Sequence, residues 1–126
     1  MCNHEIIPLL EGVPVASNRG ALGWSSVTAI RTQGRTILVD TGSYGDRSLF
    51  LSRLEQYGLN LHCFDAIVLT HFHFDHMQNA ELFPQTRLLI SAPELDYIFS
   101  GQFHRVQDPF VPLPHIGFLR SRLIPV

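Results

Sequence analysis

The stretch Asp65-Ala66-Ile67-Val68-Leu69-Thr70-His71-Phe72-His73-Phe74-Asp75-His76 decides how this chain reads. Asp65 to Thr70 is a short, nearly all-apolar run, the pattern of a strand buried on both faces. The hexapeptide that follows holds three of the chain's seven histidines. At this chain's composition, His-x-His-x-Asp-His arises by chance in about one sequence in a thousand. Chemistry explains the spacing. Neutral imidazole and carboxylate are the usual nitrogen and oxygen ligands of Zn²⁺, held at about 2 Å in a rough tetrahedron. Histidines two apart on an extended loop project the same way, so His71 and His73 can grip one ion. Asp75 and His76, past a change of backbone direction, can face a second beside it. In open α/β folds ligands bind beyond the carboxyl ends of strands, where this motif begins.

Outward from the motif, strand and helix signals alternate. Gly23 to Arg31 reads as a strand, Thr32-Gln33-Gly34 as a turn, and Arg35 to Val39 as the returning strand of a hairpin. After a loop from Asp40 to Gly45, Asp46 is placed to cap a helix running to about Tyr57. Leu49, Phe50 and Leu54 give that helix an apolar stripe, and Gly58 ends it. Downstream, Glu81 to Phe83 reads as a short helix stopped by Pro84. Arg87 to Ser91 is a second buried strand, and Pro93 suits the first turn of a helix through Phe99. From Gly101 on, Pro109, Pro112, Pro114 and Pro125 are expected to break any regular element. No repeat, low-complexity tract or linker is present, and the chain reads as a single α/β (α+β) domain over residues 1–126.

The remaining histidines, His4, His62, His104 and His115, are isolated and read as surface or hydrogen-bonded structural residues. Asp40 has two readings of equal weight. It caps the Thr41-Gly42 turn, or its carboxylate orients a ligand imidazole, as metal sites generally require. Trp24, Phe72 and Phe74 are candidates for a substrate pocket, although aromatics beside a core strand more often pack.

With Ile37-Leu38-Val39-Asp40-Thr41-Gly42 ahead of it, the His-x-His-x-Asp-His motif resembles the metallo-β-lactamase superfamily. Asn79-Ala80-Glu81-Leu82-Phe83-Pro84 is similar to members that act as lactonases and related esterases. The likeness runs from about Gly23 to Ile98. It implies the N-terminal half of an αββα sandwich, with His71 and His73 on a first metal site and Asp75 and His76 on a second. The implied cofactor is zinc, two ions, with iron or manganese as alternatives. The implied reaction is attack of a metal-bridging hydroxide on an ester, lactone, thioester, amide or phosphoester, Asp75 accepting a hydrogen bond from that hydroxide. Two departures stand out. Gln78 occupies a position where members commonly have glycine. The third histidine of the first site, the bridging aspartate and the last histidine of the second, which the family supplies from its C-terminal part, have no match after His76. The expectation is therefore half of a hydrolase that self-associates or needs a missing C-terminal half. Two alternatives stand beside it: an inactive metal-binding fragment, and a mono-iron relative that oxidises a thiol-derived substrate.

Composition narrows the rest. The chain has 126 residues, 45% of them hydrophobic and 16% charged, which suits one globular domain. Its net charge of −2 is spread without a basic cluster, so neither nucleic acid nor a membrane surface has an electrostatic footprint. Two cysteines, Cys2 and Cys63, argue against a disulfide framework and fit a reducing compartment. Met1 to Leu10 carries Glu5, no Lys or Arg, and an apolar run broken by Pro8, unlike a secretory signal. A cytoplasmic lactonase, thioesterase or glyoxalase II-like role is the resulting expectation, with a small-molecule substrate.

Overall fold

The computed structural model describes residues 3–126. Its main sheet has six strands in the order β1 (His4–Leu10), β4 (Val27–Thr32), β5 (Arg35–Val39), β6 (Ala66–Leu69), β7 (Arg87–Ile90) and β8 (Leu123–Pro125). β1, β4 and β5 are antiparallel neighbours, whereas β5 through β8 run parallel. A separate hairpin is formed by β2 (Val13–Ser17) and β3 (Gly20–Trp24).

Register shows how the core is built. Ile7, Ala29, Leu38, Ile67, Leu88 and Leu123 are successive cross-strand partners and form one buried row. Helices cover this face. α1 (Arg47–Gln56) supplies Phe50 and Leu54, α3 (Ala92–Phe99) Ile98, α4 (Gln102–Arg105) Phe103, and α5 (Leu113–Leu119) Leu119, all in a single apolar cluster with the row. Side chains alternate along a strand, so the neighbouring row of Pro8, Thr28, Val39, Val68, Leu89 and Ile124 lies on the opposite face. None of these six is buried, and the adjacent Ile6 is 71% exposed. On this ground we propose that the chain self-associates, since uncovered contiguous apolar surface drives association. Light scattering at high micromolar concentration is expected to give a mass above the monomer's. A monodisperse monomer that unfolds cooperatively would contradict it.

Several local expectations hold. Gln33 and Gly34 both take positive φ, 49° and 75°, in the tight turn joining β4 to β5. Pro93 lies in the first turn of α3, as expected, whereas Ser91 is not the last residue of the preceding strand but the helix cap, accepting from the Glu94 N–H. Gly58, at φ 64°, follows α1. Others are corrected. The strand expected over Gly23–Arg31 is two strands, broken at Ser25-Ser26, where both hydroxyls are spent on other segments. Ser25 donates to the Asp75 carbonyl, and Ser26 accepts from the Gly12 N–H at 3.1 Å. Asp46 does not cap α1 by its side chain. Its carboxylate accepts from Ser43 N and Oγ, closing the 3-10 turn Tyr44–Asp46 ahead of the helix. Leu49 is 56% exposed, so the buried stripe of α1 is Phe50 and Leu54 alone.

The region after Gly101 is not irregular. It forms α4, α5 and β8. Pro109 does lie in a turn between α4 and α5, but the others fall where a missing N–H costs little: Pro112 and Pro114 at the start of α5, Pro125 at the end of an edge strand. Pro8 likewise lies within an edge strand, beside the register shift between Pro8 and Leu10. Cys63 is a free thiol, and Cys2 lies outside the described residues. No helix among the described residues is long and apolar enough to cross a membrane.

Candidate metal centre

β5 and β6 are parallel neighbours, so the residues leaving their carboxyl ends emerge side by side. Asp40 leaves one and Thr70-His71 the other. Asp40 N donates to Val68 O at 2.9 Å, and Thr41 N donates to His76 O at 2.8 Å, which ties the two loops together. Asp40 itself sits in the left-handed region at φ 59°, which aspartate adopts more readily than most residues other than glycine.

That backbone turns the Asp40 carboxylate inward, where it is 4% exposed. It accepts from Thr70 N at 2.8 Å, Thr70 Oγ at 2.7 Å and His76 Nδ1 at 2.7 Å. Its contacts are thus across the site, with a motif imidazole, rather than on its own turn. His76 Nε2, on the far side of the ring, lies 3.6 Å from the Asp75 carboxylate. Two ligands of one tetrahedral zinc, each about 2.1 Å away, stand about 3.4 Å apart. The pair Asp75–His76 therefore fits a shared ion. His71 and His73 have ring centroids 4.6 Å apart, and His71 and His76 3.9 Å, so the three motif rings share one place. As placed, no group of three or more His, Cys, Asp or Glu among the described residues could hold an ion. The donor set has the right chemistry, delivered in pairs.

The electrostatics follow from this crowding. Burial, then the neighbouring His76 and His73, hold the His71 pKa below the ordinary imidazole value, which favours the neutral ring. Burial opposes the charge on His76 too, but the hydrogen bond and charge of Asp40, with the charge of Asp75, outweigh it and raise its pKa.

Sequence reasoning missed several contributors. Thr70 Oγ stands between Asp40 and His71 Nδ1, the latter at 3.1 Å, and its place beside the motif was the one available signal. Asp108 accepts from His73 Nε2 at 2.8 Å, although 35 residues separate them. Burial pushes the Asp108 pKa up, but hydrogen bonds from His73, Phe110 N and Tyr97 hold it below the usual carboxylate range.

Behind the motif, Asn79 is fully buried and bridges Thr41 O and Ser43 O through its amide, while its carbonyl accepts from Arg47 Nε. Arg47 pairs with Glu81 at 2.6 Å, and Tyr44 OH reaches both Glu81 and His115. His115 is thus a buried, hydrogen-bonded member of a polar cluster, and His62 and His104 are exposed, in line with their reading as structural or surface residues. Gln78 has an ordinary helical backbone, φ −61° and ψ −36°, and its side chain accepts from Tyr44 N, so glycine is not required there.

A cavity of about 340 Å³ opens on the centre, with His73, Asp75 and His76 on one side and Trp24, Phe74 and Phe110 among the others. Trp24 and Phe74 therefore do line it. Phe72 does not: it is fully buried in the core.

The chain is similar in sequence and in fold to known proteins. The rat metallo-beta-lactamase domain-containing protein 1 is 44% identical over 55 residues, 44% of this chain and 22% of its own length. A Thermotoga maritima protein assigned to the metallo-beta-lactamases superposes on 98% of this chain with a TM-score of 0.66 at 18% identity, and 58% of its own chain is covered. A quorum-quenching N-acyl homoserine lactone lactonase matches 76% of this chain and 48% of its own, with a TM-score of 0.58 at 19% identity. The chain thus spans between a fifth and three fifths of the length of these relatives. The family model of the metallo-beta-lactamase superfamily runs through residues 22–118, from the hairpin to α5 and across the histidine motif, and the chain belongs to that superfamily.

Proposed function

We propose that this chain is the metal-binding part of a hydrolase acting on an ester, lactone or thioester. The observation that carries the reading is the placement of His71, His73, Asp75 and His76 at the carboxyl edge of the parallel strands, beside a cavity of about 340 Å³. His71 and His73 would hold one ion, Asp75 and His76 a second, with zinc as the metal. When bound, zinc supplies Lewis acidity toward a carbonyl oxygen and brings the pKa of a water toward 7. The chain's own residues do the rest. Asp40 fixes the ring of His76. Asp75, 13% exposed, would both hold metal and accept a hydrogen bond from the attacking water. Trp24, Phe74 and Phe110 present an apolar wall, which favours a substrate with an aliphatic or aromatic group.

A catalytic zinc needs about three protein ligands and one open position, and the described residues offer no such group of three. Further ligands are therefore proposed to come from another polypeptide segment, and the chain by itself is expected to turn over slowly. That same observation favours a second reading, a metal-binding piece with no turnover of its own. Hydrolysis of simple esters, thioesters and lactones under excess zinc separates the two. Slow, zinc-dependent turnover that Asp75→Ala abolishes supports the hydrolase. Equal background rates in the two proteins would count against it, and turnover at ordinary enzymatic rates would refute the need for a further segment.

A further inference from the structure

Three motif imidazoles meet three different neighbours, and those neighbours decide which ring nitrogen carries the proton. An ionised carboxylate only accepts, so a ring nitrogen bonded to it must be the N–H, leaving the other nitrogen with the lone pair. For His76 the partner is Asp40, on Nδ1, which frees Nε2. For His71 the partner is Thr70 Oγ, on Nδ1; that hydroxyl donates to Asp40 and so accepts from His71, again freeing Nε2. His73 is the exception. Its Nε2 faces the Asp108 carboxylate at 2.8 Å, which frees Nδ1.

Asp108 is itself held. Its Oδ2 also accepts from the Tyr97 hydroxyl at 2.9 Å and its Oδ1 from Phe110 N at 3.0 Å, and its side chain is 13% exposed. Phe110 O in turn accepts from Phe74 N at 2.9 Å, so the segment 108–110 grips the motif at two successive residues. Gln107, just before it, lies in the left-handed region at φ 54°, a conformation that a non-glycine residue keeps when its surroundings impose it.

We infer that Asp108, anchored by Tyr97, is a positioning residue for the metal centre: it fixes His73 in the tautomer opposite to that of His71 and His76, so that His73 meets an ion through Nδ1. The inference rests on the metal-centre reading. It also explains why a carboxylate so far along the chain is folded back onto the motif. Without it, His73 would be free to turn or to change tautomer, and an N–H pointed at the ion repels it. Replacing aspartate by asparagine exchanges a group that only accepts for one that also donates, a change known to leave a partner histidine in the wrong tautomer.

The test is the imidazole region of the nitrogen-15 spectrum of the metal-free protein, at about pH 8.5, where an ordinary imidazole of pKa about 6.5 is neutral. Wild type is expected to show His73 protonated at Nε2 and His76 at Nδ1. Asp108→Asn is expected to show mixed tautomers at His73 alone and a fall in zinc affinity of about 10–100-fold, measured by chelator competition. Tyr97→Phe keeps the carboxylate, so it is expected to keep the tautomer and to lose less affinity. A wild-type His73 protonated at Nδ1 overturns the inference, as does an Asp108→Asn protein with unchanged tautomer and unchanged affinity. If wild type bound no zinc at all, the metal reading would fall, and the wild-type spectrum would still decide whether Asp108 sets the tautomer.

Discussion

Replacing Asp40 by alanine is expected to destabilise the fold by roughly 3–5 kcal/mol, the range for removing one partner of a buried, hydrogen-bonded ionic pair. The carboxylate is 4% exposed and accepts three hydrogen bonds, two from Thr70 and one from His76. Its removal strands the Thr70 N–H and leaves the His76 ring without its orienting partner. Both losses untie the loop that leaves β6. Backbone strain adds to the effect. At φ 59°, aspartate is tolerated better than alanine, because a short polar side chain can hydrogen-bond locally in the left-handed region. Asp40→Asn keeps the shape and the tolerance, and is expected to cost less than half as much. Urea unfolding of the metal-free protein measures both. Equal stability of wild type and Asp40→Ala would show that the carboxylate does not hold the two loops together.

The same residue shows how far a sequence carries. Its two readings could not be separated by inspection, since an aspartate before Thr-Gly suits a turn as well as it suits a histidine. The distinction lies in where β5 and β6 emerge, and parallel pairing across a long crossover is not a local property. What was legible was local. The tight turn at Gln33-Gly34, the apolar run before His71, the proline in the first turn of α3 and the stop at Gly58 each combine a residue preference with a neighbouring pattern. The histidine motif was legible for the same reason: its ligand-type residues are adjacent in the chain.

Two kinds of feature were not legible. Proline after Gly101 was read as a breaker, but a helix tolerates it in the first turn and an edge strand at its end, and these are the places Pro112, Pro114 and Pro125 take. Tertiary partners were the other kind. Asp108 reaches His73 across 35 residues, and His115 reaches Tyr44 across 71, with no spacing that announces either. Trp24 and Phe72 illustrate the limit on aromatics. Both stand near apolar strands, yet Trp24, at the end of the small hairpin, is 49% exposed on the cavity wall, and Phe72, in the loop after β6, is fully buried in the core.

The central claim is that the histidine motif is a metal centre, and its most direct test is the zinc content of the purified chain. His71 and His73 are neither deeply buried nor part of the apolar cluster, so replacing both by alanine leaves the packing of the sheet and helices intact. It also removes two of three clustered imidazoles, and the pair Asp75–His76 then loses the neighbour whose ring centroid lies 3.9 Å from that of His76. Loss of a single orienting partner around a metal costs about 10–100-fold in affinity, and loss of two ligands is expected to exceed that. Zinc measured by plasma emission after loading and desalting, with circular dichroism to confirm the fold, is expected to be present in the wild type and absent from the double variant. An unchanged zinc stoichiometry in His71→Ala/His73→Ala would contradict the account.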